Sequence, residues 1–334
     1  MKLDQFWEYV FSEEAEKVRM AWDWLAEDER TSVRDHLEQI TRDPDRIEAQ
    51  RVAARYALRV VAVPAFTLPD GALEFARELA QGIGERLKFA SGQLIASTKN
   101  DGTWVTASDI EADQRLAEAI LARYPDHGVL SEEGDKVYRG QEWCWVIDPI
   151  DGTTNFTWGF PGWGVLIGLL YRGHPVLGVA EFPPVGQQLY AVRGEGAWRK
   201  TVTGYGDGPI RAASDKAFTT TQLYAVGTRS LKPSPPNIPC KLRLPGSTGF
   251  DFALLACGAC VGVYDSTVHV WDIAALWPII EESGAHVLTS HPGGIFPLRD
   301  GIDYSSVEFA VLGAATSELL SESLVRLSDR FALP

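Results

Sequence analysis

Two aspartates three residues apart, Asp148 and Asp151, stand at the end of the run Trp145-Val-Ile-Asp-Pro-Ile-Asp-Gly-Thr-Thr-Asn-Phe156. The run begins as an apolar stretch that reads as a buried strand and breaks at Asp148-Pro149 into a turn. Both carboxylates then sit on a short, stiff arc and can converge on one point, an arrangement of oxygen ligands that suits a hard divalent cation. Gly152 lets the backbone approach whatever is bound there. Thr153 and Thr154 add hydroxyls and backbone N–H groups of the kind that cradle a phosphate. Asp109, the pair Glu132 and Glu133, and Asp272 are further acidic groups at the ends of predicted elements. Together they point to a metal site.

The elements that must position these groups follow from periodicity. Ser131-Glu-Glu-Gly134 is delivered by a short strand at 128–130, and a second strand, from Trp143 to Ile147, follows at once and ends in Asp148. The two acidic strand ends are therefore expected to be neighbours. Asp109 lies at the start of a helix running to Arg123, with Ser108 or Asp109 opening it; Glu111 and Asp113 read as ordinary favourable charge near its positive end. Upstream, residues 70–97 read as one helix with the apolar face Leu73, Ala76, Leu79, Ile83 and Leu87, loosened by Gly82 and Gly84. A turn at Asp101-Gly102 and a short extended piece at 104–106 follow. Three apolar runs between Val165 and Val192, separated at Arg172-Gly173 and Pro183-Pro184, read as an antiparallel meander. Gly194-Glu-Gly-Ala197 lacks the third glycine and the helix of a nucleotide-binding turn and reads as a plain turn. Gly246-Ser-Thr-Gly249 opens an apolar helix, 261–264 is a strand, and 309–312 and 318–327 are the last strand and helix. Asp272 starts a helix whose face is Ile273, Leu276, Trp277 and Ile280. Pro278 lies too deep in that helix for a first-turn proline, so a kink is expected.

Residues 1–65 form a separate helical piece, with 66–334 as the main domain. Phe6, Trp7, Val10 and Phe11 fall on one helical face, Val18, Trp22 and Leu25 on another, and after the break at Asp43-Pro44 a third helix runs to Pro64. Aromatic stripes at this spacing favour a cap packed on the main domain over an oligomer contact or docking module. The 334 residues, 45% hydrophobic, can bury a large core, while a formal net charge of -14 argues against nucleic acid or an anionic membrane as partner. An acidic protein that handles phosphate needs metal ions between the two negative charges. Cys257-Gly-Ala-Cys260 has redox or zinc spacing but no second pair, and reads as buried structural cysteine. With four cysteines, no apolar signal region and no apolar span of membrane length, the expected location is cytoplasmic.

The segments Trp104-Val-Thr-Ala-Ser-Asp109, Ser131-Glu-Glu133, Asp148-Pro-Ile-Asp-Gly-Thr-Thr-Asn-Phe156 and Trp271-Asp-Ile-Ala-Ala275, in this order and at these separations, resemble the inositol monophosphatase family. The resemblance covers roughly residues 70–330 and leaves the N-terminal helices outside it. It implies an α+β layered sandwich (αβαβα) shared with fructose-1,6-bisphosphatase, and Mg²⁺-dependent hydrolysis of a small phosphate monoester. Carried over by position, it makes Glu132, Asp148 and the Ile150 carbonyl ligands of one ion and Asp148, Asp151 and Asp272 ligands of a second, with a third, weaker ion near Glu132. It makes Asp109 and Thr153 the pair that orients the attacking water, and gives the phosphate oxygens to the N–H groups of Gly152 and Thr153. Gly246, Ser247, Thr248 and Asp265, with Asp151 beside them, would meet the substrate's hydroxyls. A homodimer is a further implication.

The sequence departs from the family pattern on the leaving-group side: Thr248-Gly249 replaces the usual small pair, Asp265 stands where inositol-specific members have glutamate, Arg199-Lys200 replaces Asn-Gly, and Gly284-Ala285 a double glycine. Asp-Ile-Ala-Ala-Leu-Trp-Pro-Ile also resembles the histidinol-phosphate branch. Inositol monophosphate is the first expectation for the substrate, histidinol phosphate the alternative, and 3′-phosphoadenosine 5′-phosphate or a sugar bisphosphate follow. The competing class, a non-catalytic scaffold, gives no reason to keep five mutually repelling carboxylates.

Overall fold

The computed structural model describes residues 1–93, 97–98, 104–291 and 294–331. Its centre is a seven-stranded sheet in the spatial order Gly208–Pro209, Ala197–Thr201, Gln187–Val192, His174–Phe182, Gly164–Tyr171, Trp143–Asp151, Gly128–Ser131. All neighbours are antiparallel except the last two, which run parallel. The strand Trp143–Asp151 is buried on both faces, and its alternation divides two cores. Trp145 and Ile147 meet the helices Ala72–Lys88 and Ala107–Arg123 through Ile83, Leu87, Leu116 and Ile120. Cys144 and Val146 face the other way, into a cluster with Phe252, Ile273, Leu276 and Ile279. That middle helical layer comprises Thr248–Ala256, Val270–Ala274 and Leu276–Glu282.

Beyond it lies a five-stranded sheet, ordered Lys241–Arg243, Leu223–Val226, Gly262–Val268, Phe309–Ala314, His286–Thr289, covered on its far side by the helix Ser317–Arg326. The layers are thus αβαβα, as the resemblance implied. Two glycines set how closely the middle layer approaches the large sheet. A Cβ at Gly178 would lie 1.8 Å from the Ala275 carbonyl oxygen, and one at Gly168 would lie 3.0 Å from the Ala274 and Ala275 backbone. The same place resolves the conflict at Pro278. The expected kinked helix is two short helices meeting at Ala275, and Pro278 is the third residue of the second, where a missing N–H leaves no bond unmade.

The helix expected over 70–97 stops at Lys88. Gly92 then takes a left-handed conformation (φ 75°) and donates its N–H to the Phe156 carbonyl, and Ser97–Thr98 pairs antiparallel with Trp104–Val105. The turn at Asp101-Gly102 lies outside the described residues. Gly84 does not loosen the helix; it lets the Pro183–Val185 turn pack on it, since a Cβ there would fall 2.6 Å from Pro183 Cγ. The meander has the expected strands, with Arg172 and Gly173 both at positive φ in its first turn.

The N-terminal segment has four helices, not three: Leu3–Val10, Ala15–Trp24, Glu27–Arg42 and Glu48–Ala62. They enclose an apolar cluster of their own around Phe6, Val18, Leu37 and Tyr56. The helix absent from the sequence reading, Glu27–Arg42, buries only Leu37 and Ile40, so its apolar periodicity is too sparse to register. The bundle is fastened to the main domain by charge. Arg59 donates to the Val287 carbonyl and pairs with Glu281 (3.2 Å), and Arg19 pairs with Glu282 (3.3 Å); His286 Nε2 lies 3.2 Å from Glu13 as a polar contact, since burial keeps that imidazole neutral. Among the described residues no helix is long and apolar enough to cross a membrane.

Candidate active site

The register of the strand Trp143–Asp151 against Gly164–Tyr171 is regular up to Asp148 and shifts before Asp151, where Pro149 has no N–H for the ladder. The bulge sets Asp148 and Asp151, 1% and 5% exposed, on one arc. Asp148 Oδ1 accepts the Ile150 N–H (3.0 Å), which folds the arc onto itself. Gly152 follows at φ 85°; a Cβ there would lie 2.8 Å from Ser247 Cβ and 2.9 Å from the Gly162 carbonyl, so only glycine fits. The helix Thr153–Trp158 starts at once. Its Thr153 hydroxyl lies 3.2 Å from both Asp109 Oδ1 and the Ile150 carbonyl.

Asp109 reaches this point from the helix Ala107–Arg123. The helix is capped by Thr106, not by Ser108 or Asp109: the Thr106 hydroxyl accepts from the N–H groups of Ser108 and Asp109. Asp109 occupies the third helical position of this capping box, and its Oδ2 accepts both the N–H (2.8 Å) and the hydroxyl (2.5 Å) of Thr106. One carboxylate oxygen is thereby anchored and the other presented to Thr153. Glu132 arrives beside Asp148 because Gly128–Ser131 pairs in parallel with Trp143–Asp151, with Ser131 opposite Ile147. Glu132 N–H donates to the Ile147 carbonyl (3.3 Å). Asp272 closes the far side, with its Oδ2 accepting the His269 N–H (2.8 Å) in a second capping box.

A second group of residues lies on the other flank of Asp151. Asp151 Oδ2 accepts from the Ser247 hydroxyl and from the Gly249 N–H (2.9 Å), while Ser247 also caps the helix Thr248–Ala256 by accepting the Phe250 N–H (3.1 Å). Thr248 donates to Asp265 Oδ2 (2.9 Å), and the Thr267 N–H donates to its Oδ1 (3.2 Å). Gly246 is tied to the first group through Asn155, whose Nδ2 donates to the carbonyls of Gly162 (2.6 Å) and Pro245 (2.7 Å).

At Asp148, Asp151 and Asp272 burial and mutual repulsion dominate the electrostatics. Burial, then the charges of Glu132, Asp151, Asp272 and Asp109, pushes Asp148 well above the usual carboxylate range. Burial and the charge of Glu132 do the same to Asp272. Asp151 rises to about 7, through burial only partly offset by its bonds from Ser247 and Gly249. Burial also raises Asp109, against the hydrogen bonds from Thr106. Among the described residues no lysine or arginine forms an ion pair with Asp148, Asp151 or Asp272. Oxygen donors held together without a protein counter-charge fit a hard cation. Among the described residues no three His, Cys, Asp or Glu side chains are already drawn onto one point.

Comparison with known proteins identifies the family. The sequence pattern of the inositol monophosphatase family matches residues 69–326. The chain belongs to that family. It is 32% identical over 225 residues to a histidinol-phosphatase of Chlorobaculum parvum, covering 65% of this chain and 84% of that protein. It is 32% identical over 230 residues to an inositol-1-monophosphatase of Synechocystis, covering 64% and 77%. The fold matches the Thermotoga maritima IMPase with a TM-score of 0.63 at 22% identity, over 78% of this chain and 99% of that one. The chain is accordingly a phosphatase, a phosphoric monoester hydrolase of the inositol monophosphatase family, and dependence on a metal ion is expected for that family.

Within this family framework the structure brings Asp109, Glu132, Asp148, Ile150, Asp151, Thr153 and Asp272 to one place and sets Gly246, Ser247, Thr248 and Asp265 beside it. Four contributors were not singled out by sequence reasoning. Thr106 and Asn155 anchor the site, and each lies inside a quoted motif, so the motif was the available signal. Asp113, read as ordinary helix charge, is 5% exposed beneath the 131–134 turn, held by the Ser131 side chain and the Glu133 backbone. Glu111 does follow the solvated reading and pairs with Arg115 (2.8 Å). Asp251 is 1% exposed, neither of its carboxylate oxygens has a hydrogen-bond partner, and burial with the charges of Asp265 and Asp151 holds it well above the carboxylate range. Burial pushes the Cys260 thiol to about 12, which leaves it inert.

Proposed function

We propose that this phosphatase hydrolyses a small polyol phosphate, with inositol monophosphate as first substrate, in a Mg²⁺-dependent reaction using two or three ions. The observation that carries this reading is the Thr153 hydroxyl, placed 3.2 Å from Asp109 Oδ1 at the edge of the buried carboxylates Asp148 and Asp151. Glu132, Asp148 and the Ile150 carbonyl would hold one ion and Asp148, Asp151 and Asp272 another. When bound, the ions supply charge that neutralises the phosphate and makes water a nucleophile at neutral pH.

The protein's own part is positional. Thr153, donating to Asp109 or Ile150, keeps its lone pairs for a proton of the attacking water, and Asp109, raised by burial, is a stronger base toward that water than an exposed carboxylate. The N–H groups of Gly152 and Thr153 would hold phosphate oxygens. Gly246, Ser247, Thr248 and Asp265 would contact the leaving alcohol. A homodimer in the cytoplasm fits the family, and light scattering tests the oligomeric state.

Asp251 supports a second reading. Held neutral by burial, its carboxyl can donate a hydrogen bond on the leaving-group side, and the 32% identity to a histidinol-phosphatase supports histidinol phosphate as the alternative substrate. The test is phosphate release from inositol 1-phosphate, histidinol phosphate, 3′-phosphoadenosine 5′-phosphate and fructose 1,6-bisphosphate, with Mg²⁺ and with EDTA. Mg²⁺-dependent release from inositol 1-phosphate above the others is expected, and no release from any of the four would overturn the reading. The ratio of kcat/KM for inositol 1-phosphate to that for histidinol phosphate decides between the first two.

A further inference from the structure

We propose that the cleft between the N-terminal helices and the phosphatase domain is a second ligand site, specific for a small multivalent oxyanion of the phosphate or pyrophosphate type. The cleft has a volume of about 740 Å³, within the range of small-molecule sites, and most of its walls lie outside the segment that matches the family. Those walls are the helices Ala15–Trp24 and Glu27–Arg42, the connecting chain 60–68, and the turn after Gln187–Val192.

Four arginines line it, Arg19, Arg30, Arg34 and Arg193, against two carboxylates, Asp23 and Glu195. In a chain of net charge -14 the lining is rich in cations, although acids behind it meet three of the four. Two of the four are committed: Arg19 to Glu282 (3.3 Å) and Arg193 to Glu281 (2.5 Å). The other two are not fully used. Among the described residues Arg34 forms no ion pair, and its guanidinium lies over the Trp22 ring, 5.6 Å from the centroid, a stacking that holds the planar fork in one orientation. Arg30 meets Glu27 at 3.1 Å and Asp23 at 4.0 Å, and its Nε is buried without a hydrogen-bond partner.

The connecting chain adds backbone donors. Among the described residues, the backbone groups of residues 64–68 make no hydrogen bond, although they line the cleft. Unpaired N–H groups beside two incompletely used guanidiniums are the donors that a multivalent oxyanion satisfies, and guanidinium forks meet such oxyanions two bonds at a time. The catalytic cluster is acidic and, with metal withheld, repels the same ligand.

That separation supplies the test. The full-length protein in EDTA is titrated calorimetrically with sodium pyrophosphate, with inorganic phosphate as a second arm. Saturable one-site binding of pyrophosphate is expected, tighter than that of phosphate and weakened by added salt. Replacing Arg34, which has no ion pair among the described residues, together with the partly used Arg30, as Arg30→Gln with Arg34→Gln, should weaken it by about tenfold or more while the circular dichroism melt is retained. Asp148→Asn, in the catalytic cluster, should leave it unchanged. Absence of saturable binding, binding retained by the double variant, or binding abolished by Asp148→Asn would each overturn the proposal.

Discussion

The protein buries charge in two places and treats it in opposite ways. At the junction of the N-terminal helices, Glu281 is 4% exposed yet meets Arg193 (2.5 Å) and Arg59 (3.2 Å), while Glu282 receives Arg19 and the N–H groups of Gly194 and Gly196. Each carboxylate there has a cation from the protein itself. At the end of the strand Trp143–Asp151, equally buried carboxylates face one another, and their ionisation is opposed by that proximity. Buried acid with internal counter-charge is a fastening; buried acid without it is a place kept for a cation that the chain does not encode.

Removing one carboxylate should therefore have opposite consequences in the two regions. Asp148→Asn keeps the volume and removes one of the repelling charges. It should lower phosphate release by about three orders of magnitude or more while leaving the EDTA-treated protein as stable as before, or more so. Activity near the wild-type level would mean that Asp148 is not part of the site. Glu281→Gln should do the reverse. It leaves Arg193 and Arg59 without their buried counter-charge and should lower stability by about 3–5 kcal/mol in urea unfolding, with the folded fraction still turning over substrate. Were its cost to fall within the scatter of surface substitutions, the junction would not be the fastening that the pairing indicates.

The two regions also differ in how far the sequence reveals them. The strand Trp143–Asp151 is legible because a continuous apolar run ends abruptly at Pro149, and because its acidic residues sit at that end. That the two acidic strand ends are neighbours was legible because Trp143 follows soon after Ser131, whereas the parallel direction was not, since so short a connection more often joins antiparallel strands. What stays hidden is burial decided by packing from elsewhere. Acidic positions on one helix cannot be told apart by residue type: Glu111 is solvated and Asp113 buried, two residues on, because the 131–134 turn closes over one face only. Asp251 looks like first-turn helix charge until the layers on either side of its helix cover it. Glu27–Arg42 is the converse case, a helix held by a few buried residues and therefore nearly silent in apolar periodicity. Pro278 misled because a helix break costs nothing to a pattern of apolar residues that resumes in phase.

Acidity separates the regions by a smaller effect, with opposite signs. At the junction, burial and the charge of Arg59 lower His286 to about 4, and burial and the charge of Arg193 lower His174 to about 4. His286 also faces Glu13 and Glu318, and His174 faces Glu281, yet burial outweighs these acids. A histidine depressed below its unfolded value of 6.5 contributes stability that is present above pH 6.5 and lost as pH falls toward 4. For the fully buried His286 that amounts to about 3 kcal/mol over the whole window. In the catalytic cluster the shift is upward: Asp151 moves from 3.8 to about 7, so the folded, metal-free protein holds a proton that the unfolded chain has released. Its contribution is present below pH 3.8 and lost as pH rises through that window to about 7. The two contributions therefore oppose each other between about pH 4 and pH 7 when no metal is bound. Thermal melts in EDTA should show a shallow dependence on pH across that range. Mg²⁺ holds the cluster ionised and should remove its share of the fall, leaving the histidines alone, so that the melting temperature climbs more steeply from pH 4 to pH 7. A slope that Mg²⁺ leaves unaltered would show that the cluster is not the cation site, and a climb that survives His286→Gln undiminished would show that the junction is not its source.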